Sequence, residues 1–430
     1  MPKKSHKNFL IFLNIKRNYI NFSMHNIKDF KSFYFYFIIF FFPISIFIGN
    51  AAINLNIFII ILSGFYIIFR EKIYKYFHQR WFLFAIVFWC ILLLSALLSN
   101  YKLHSSTFTV FFARMILFSL CIQVIFVEKK LNEINFIKFL TLLLFIVTID
   151  TLIQKFFGKN IFLFESAGSS FNTRLTSFFK DEQVVGSYIS KFIFIPLFYL
   201  CFSQSSTKVI TDYKRYIFYI LLFLSFLAIF LSGERMASLH FLLGLSILFI
   251  FMLIKKKLSI KLLIFCLIIV TSIFSFEKNT RERFLQSFDE KYGIGNGIIN
   301  SPWGSHLKVA HNEFKKNIFL GAGPKSFRKF SCEKENYKDD LRACSTHPHN
   351  NFAEILSETG VIGFIFYISF IIIFLKDHIV SYQFFGLLIS LIILFWPLGT
   401  SGSFFSTFNG SFIWYIVGLL SALKKIEINH

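Results

Sequence analysis

The 430-residue chain reads as an all-α polytopic membrane protein of about 12 transmembrane helices, with one large loop between the ninth and the tenth. Three observations lead there. Hydrophobic side chains make up 55% of the sequence and the mean hydropathy is +0.63, more than a soluble domain of this length needs for its core. The apolar residues come in blocks close to the roughly 20 residues that a helix needs to cross a bilayer core. The basic residues behind the formal charge of +22 fall in short clusters on alternate connections between those blocks.

In chain order, residues 1–32 form a basic tail. No small-residue cleavage site precedes the first span, so the tail is expected to stay uncleaved and cytoplasmic. Nine spans occupy 33–275, near 33–49, 51–69, 81–99, 107–127, 135–157, 184–203, 216–232, 236–253 and 258–275. The long loop covers 276–353, and 354–430 holds three more spans, near 354–375, 381–399 and 408–423, with a short tail. The charges test this threading. Arg70 through Arg80, Glu128-Lys129-Lys130, Lys208 through Arg215, Lys255-Lys256-Lys257, Lys376 and Lys424-Lys425 all land on one side, which the positive-inside rule makes the cytoplasm. The connections at 100–106, 158–183, 232–235, 276–353 and 400–407 then face outward, and chemistry outside the cytoplasm is expected in the longest of them. Basic clusters placed this way argue against nucleic acid as a partner. The 65 Phe read as packing and lipid-facing residues rather than a base-stacking surface.

Cys332 and Cys344 lie in the long loop, whereas Cys90, Cys121, Cys201 and Cys266 fall inside spans as small apolar residues. On an oxidising side of the membrane the loop pair is expected to form a disulfide, worth roughly 3 kcal/mol on a chain-entropy estimate. A zinc site with His347 and His349 is the alternative, at a spacing that matches no common ligand pattern.

The most informative residues are Gly321-Ala322-Gly323 with Phe327, then Thr346-His347-Pro348-His349-Asn350-Asn351, then Glu358-Thr359-Gly360-Val361-Ile362-Gly363 at the start of a span. A second block, Ser232-Gly233-Glu234-Arg235-Met236-Ala237-Ser238, sits at a turn between two spans. A third is Arg174-Leu175-Thr176-Ser177-Phe178-Phe179, followed by Gly186-Ser187-Tyr188. Together, over roughly residues 160–365, these resemble the O-antigen ligase and polymerase superfamily of membrane glycosyltransferases. Ser177 stands where that pattern usually has Gly, and its later Pro-Asn pair is missing.

The resemblance implies an inner-membrane enzyme, with both termini cytoplasmic and its site on the periplasmic side. It implies transfer of a glycan from a polyprenyl diphosphate carrier to a hydroxyl of the lipid A core or another glycan, without a cofactor or metal and with inversion at the anomeric carbon. Such a reaction needs a base for the hydroxyl proton and cations for the departing diphosphate. An imidazole with an ordinary pKa of about 6.5 suits the first task and guanidinium groups suit the second. His349 is the expected base with His347 as its competitor, and Asn350 is expected to orient the imidazole or to bond a sugar oxygen. Arg235 is the first candidate for the diphosphate, because an Arg in a three-residue turn between apolar spans is costly unless it faces water or a polar partner. Gly233 and Ala237 would let a headgroup approach; the bland alternative is an Arg snorkelling to the headgroups.

Members of the superfamily present a further Arg in the long loop, a role open to Arg281 or Arg283. The Trp-containing stretch here reads Ser301-Pro302-Trp303-Gly304-Ser305-His306-Leu307-Lys308-Val309-Ala310 and carries no Arg, which leaves His306, Lys308 and Arg174 as rivals. Gly321-Ala322-Gly323 lacks the third Gly of a dinucleotide fingerprint and is expected to form a tight turn that places Phe327. Asp339-Asp340 reads as a solvated acidic pair. Inside the spans, Arg114, Asp150 and Lys191 would each cost about 2.5 to 3.5 kcal/mol in lipid and are candidate cavity residues. Two other functions remain open: a polymerase of the same superfamily, and a transporter or flippase for lipid-linked sugars, whose site should instead sit at the bilayer midplane on broken helices.

Overall fold

The computed structural model describes residues 30–166, 174–203, 208–257, 260–288, 295, 297, 300–337, 340–399 and 402–429. The expected basic tail as far as residue 29, and Asp339, lie outside the described residues. The described chain is helical throughout, with no strand beyond an isolated bridge between Lys159 and Glu165.

The helices are α1 (Phe30–Ile48), α2 (Asn50–Glu71), α3 (Arg80–Leu98), α4 (Lys102–Glu128), α5 (Glu133–Phe157), α6 (Val185–Phe192), α7 (Phe194–Phe202), α8 (Lys208–Leu231) and α9 (Arg235–Ile254). They continue with α10 (Ile260–Phe276), α11 (Lys278–Leu285), α12 (Pro302–Lys316), α13 (Phe327–Ser331), α14 (Lys334–Tyr337), α15 (Asn351–Asp377), α16 (Phe385–Leu394) and α17 (Thr407–Asn429). Eight stretches among the described residues are long and apolar enough to cross a membrane: α2 to α5, α6 joined to α7, α8 from Thr211, α9 and α15. The chain is therefore a polytopic helical membrane protein. The four other expected spans fall on α1, α10, α16 and α17, the first three of which present only shorter apolar stretches. α16 stops at Leu394, shortly before Pro397, and irregular backbone leads from there toward α17. Such backbone is tolerated among membrane helices where it lines a cavity, and the candidate site lies there.

α4 is the most enclosed helix, packed by α2, α3 and α17, with Phe118 through Phe126 buried without interruption. A small second core of Val309, Ala310, Phe327, Phe330 and Ala343 holds together the lobe between α10 and α15. Cys332 and Cys344 are disulfide-bonded across that lobe, with 4.4 Å between their Cα atoms, so the zinc alternative loses both of its thiols.

The lobe is joined to α15 where that helix breaks. Gly360 has φ +66° and ψ −171°, so the helical ladder is interrupted. The amides of Val361 and Ile362 donate instead to the carbonyls of Ile318 and Phe319, at 2.8 and 3.1 Å. In return Ala322 and Gly323 donate to the carbonyls of Ser357 and Glu358, at 3.1 and 2.8 Å. A Cβ on Gly360 would lie 2.3 Å from the Phe319 carbonyl carbon, and one on Gly321 would lie 2.3 Å from that of Glu358. The Glu358 carboxylate accepts from the amides of Lys325 at 2.7 Å and Phe327 at 3.1 Å. The G-x-G and E-x-G-x-x-G elements are thus the two halves of one joint, and the expected tight turn does place Phe327, fully buried, in the lobe core.

Candidate active site

One wall of the site is the turn between α8 and α9. Gly233 sits there at φ +75°, a left-handed conformation that glycine adopts without steric cost. The Ser232 carbonyl accepts from the Leu175 amide at 3.3 Å. The Glu234 carboxylate accepts from the amides of Gly186 at 2.6 Å and Ser187 at 3.0 Å, at the positive end of α6. The two sequence blocks around Arg174 and Arg235 therefore meet in space. Arg235 opens α9, with its guanidinium 5.7 Å from the Trp303 ring and its Nη1 donating to the Arg283 carbonyl at 3.4 Å. Arg283 donates from Nε to the Gly233 carbonyl at 3.0 Å. Burial, followed by the charges of Arg174 and Arg235, lowers the Arg283 guanidinium to about 10. Three arginines that repel one another around a single acid are an arrangement that an anion relieves.

The facing wall comes from the lobe. Ser345 is held beside the disulfide: the Ser331 hydroxyl donates to its carbonyl at 2.9 Å, and its amide donates back to that hydroxyl at 3.2 Å. The Ser345 hydroxyl donates to the His347 carbonyl at 3.1 Å and lies 3.4 Å from Nε2 of His349. His349 has φ +54°, strained for a residue with a Cβ, immediately before α15 begins. Its ring centroid is 4.1 Å from that of His347 and 5.1 Å from that of His306. Burial, then His347 and His306, lowers the His349 imidazole to about 4, so it is neutral near pH 7 with a lone pair to offer. Burial also lowers His306, whose Nδ1 is enclosed without a protein hydrogen-bond partner.

A cavity of about 690 Å³ separates the walls. Arg174, Lys191, Arg235, His306 and His349 reach it, with Trp303, Trp396 and Leu239 among its apolar lining. Lys191 donates to Oδ1 of Asn409 at 3.3 Å and lies 4.8 Å from the Phe412 ring centroid.

Of the residues singled out in the sequence, His349, Arg235 and Arg174 line this cavity, while Arg283 packs behind Arg235 and Gly233. His347 lies against His349 with its ring tilted by 45°, and is not itself among the lining residues. Asn350 has no described hydrogen bond to the His349 ring: it caps α15 by accepting from Ala353 at 3.0 Å, and donates to the carbonyls of Pro397 at 2.8 Å and Gly399 at 3.3 Å, so it fixes the start of the helix that follows His349. Arg281 turns away, donating at 3.2 Å to each of the Phe274 and Ser275 carbonyls. Lys308 is exposed outside the cavity.

Of Arg114, Asp150 and Lys191, it is Lys191 that lines the cavity. Asp150 accepts from the Ile161 amide at 2.9 Å and the Ser177 hydroxyl at 2.5 Å, organising the α5–α6 connection, and Arg114 donates to Thr407 at 3.3 Å. Sequence reasoning passed over His240 and Asn409, which also line the cavity. Their signal was a polar side chain inside an apolar helix.

Residues 220–368 match the O-antigen ligase family model. That match supports the O-antigen ligase-like superfamily. No curated protein matches the chain. The matched segment contains Arg235, Arg283, His306, His349 and both halves of the joint, whereas Arg174, Lys191 and Asn409 complete the cavity from outside it. The match, together with the apolar helices around it, supports a membrane glycosyltransferase-like enzyme, and the matched family is one whose substrates are lipid-linked glycans in general.

Proposed function

We propose that the protein transfers a glycan from a polyprenyl diphosphate carrier to a hydroxyl of the lipid A core, at the periplasmic face of a bacterial inner membrane. The observation that carries this reading is the single cavity with a neutral imidazole on one wall and clustered guanidiniums on the other. Arg235 and Arg174, braced by Arg283, bind the diphosphate. The acceptor oxygen attacks the anomeric carbon opposite the leaving group, which inverts that carbon. His349 takes the hydroxyl proton as the new C–O bond forms. The old C–O bond breaks toward the diphosphate, whose added charge the arginines stabilise. The carrier leaves as polyprenyl diphosphate, and His349 passes its proton to solvent. Lys191 at the cavity floor meets the same negative charge.

A diphosphate bound beside His349 raises its pKa above the value of about 4 set by burial. Because the base works deprotonated, activity falls as pH drops through that donor-bound pKa and is level above it. A pH–rate profile on the purified enzyme checks the sign.

The test of function is complementation of ligase-deficient and polymerase-deficient hosts with wild type, His349→Ala and Arg235→Ala, reading lipopolysaccharide ladders beside membrane expression. A ladder restored only in the ligase-deficient host, and lost in both well-expressed variants, is the expected outcome. Restoration only in the polymerase-deficient host replaces the ligase with a polymerase. Full activity in both variants removes the site assignment, and relocation of a labelled lipid-linked glycan without a covalent product makes the protein a transporter.

A further inference from the structure

A second cavity, of about 330 Å³, lies between α5, α7 and α8 and shares no residue with the first. Its floor is apolar, with Ile137, Leu142, Phe145 and Ile217, and Leu142 is 55% exposed, so the groove opens sideways from the bundle. Lys138, Tyr199 and Tyr213 line its rim. Lys214 lies against the same rim: its Nζ is 5.3 Å from the Tyr199 ring centroid and donates to the Ser203 hydroxyl at 2.9 Å. Lys257 donates to the Cys201 carbonyl at 2.6 Å, which places the basic end of α9 at the same end of the bundle. No acid is among the described lining residues of the groove, and Glu133 faces Tyr199.

Length and charge select the occupant. From Asn135 to Phe145 the α5 wall rises ten residues, about 15 Å at 1.5 Å per residue. That is half of a bilayer core of about 30 Å, the depth of one leaflet. Tyrosines and lysines above an apolar channel match the headgroup boundary, where aromatic rings anchor and ammonium groups meet phosphate. We propose that this groove binds one anionic phospholipid, with an acyl chain along Leu142 and Phe145 and its phosphate between Lys138 and Lys214. The site is independent of the glycosyl-transfer cavity and stands whether or not that reading holds.

The test is native mass spectrometry of the full-length protein, delipidated and then equilibrated with equal amounts of phosphatidylglycerol and phosphatidylcholine. One phosphatidylglycerol retained per chain in preference to phosphatidylcholine is the expected result. Lys138→Gln reduces that preference about fivefold, the effect of one lysine at a lipid surface. Leu142→Trp changes an exposed position and fills the groove, and lowers retention of both lipids. Equal retention of the two lipids by wild type overturns the proposal. So does an unchanged preference in Lys138→Gln, or full retention in Leu142→Trp.

Discussion

The joint at Gly360 and the cavity walls around His349 both carry motif residues, yet they are built on opposite principles. In the joint, the amides of Val361 and Ile362 and the carbonyls of Ser357 and Glu358 all find partners across the break, and Gly321 and Gly360 face backbone that cannot move aside. At the walls, like charges crowd together, a ring nitrogen is enclosed without a protein partner, and a histidine is held in a left-handed conformation. Satisfied polar groups stabilise a fold, whereas strain and repulsion are tolerated where a ligand relieves them. The difference separates motif residues that build from motif residues that react.

That separation is tested by four substitutions of decreasing effect. Gly360→Ala forces a Cβ into the Phe319 carbonyl and costs more than about 4 kcal/mol, so folded protein is lost from membranes; normal expression of this variant would remove the joint's structural role. His349→Ala leaves thermal stability and expression near wild type and lowers turnover about 100- to 10,000-fold, measured with a lipid-linked donor. Gly233→Ala brings a Cβ to 3.0 Å from Arg283 Nε and displaces it. Activity then falls about 10- to 100-fold with little loss of fold, and an unchanged rate would mean that Arg283 does not brace the diphosphate site. Arg281→Ala, whose guanidinium bonds only the end of α10 among the described contacts, changes melting temperature and rate least, within about 0.5 kcal/mol.

Much of the frame was legible because length and apolar run define a span with little help from tertiary contacts. α16 was less so, since a helix that ends beside a cavity no longer needs full length. The break in α15 was hidden: Glu358 through Gly363 reads equally well as continuous apolar helix, and only the arrival of residues 318–323 explains Gly360, whereas Gly363 makes room for the Thr359 side chain. In the site, Arg235 stood out because a charge at a turn between apolar spans is costly, whereas His349 and Asn350 stood out through the resemblance. Asn350 also serves as a helix cap, and its bonds to Pro397 and Gly399 reach residues far away in sequence, which the motif did not foretell. Lys191 announced a cost without revealing its direction, which follows from how α6 faces Asn409.

Residues 318–323 meet α15 almost entirely through main-chain atoms. The side chains of Ile318 and Phe319 stand 47% and 73% exposed, so neither is tied to a packed environment. One inserted residue there would shift the donors by a full residue step and leave both halves of the broken helix unpaired. Ile318 and Phe319 are therefore free to change their letters, while the stretch as a whole is unable to change its length.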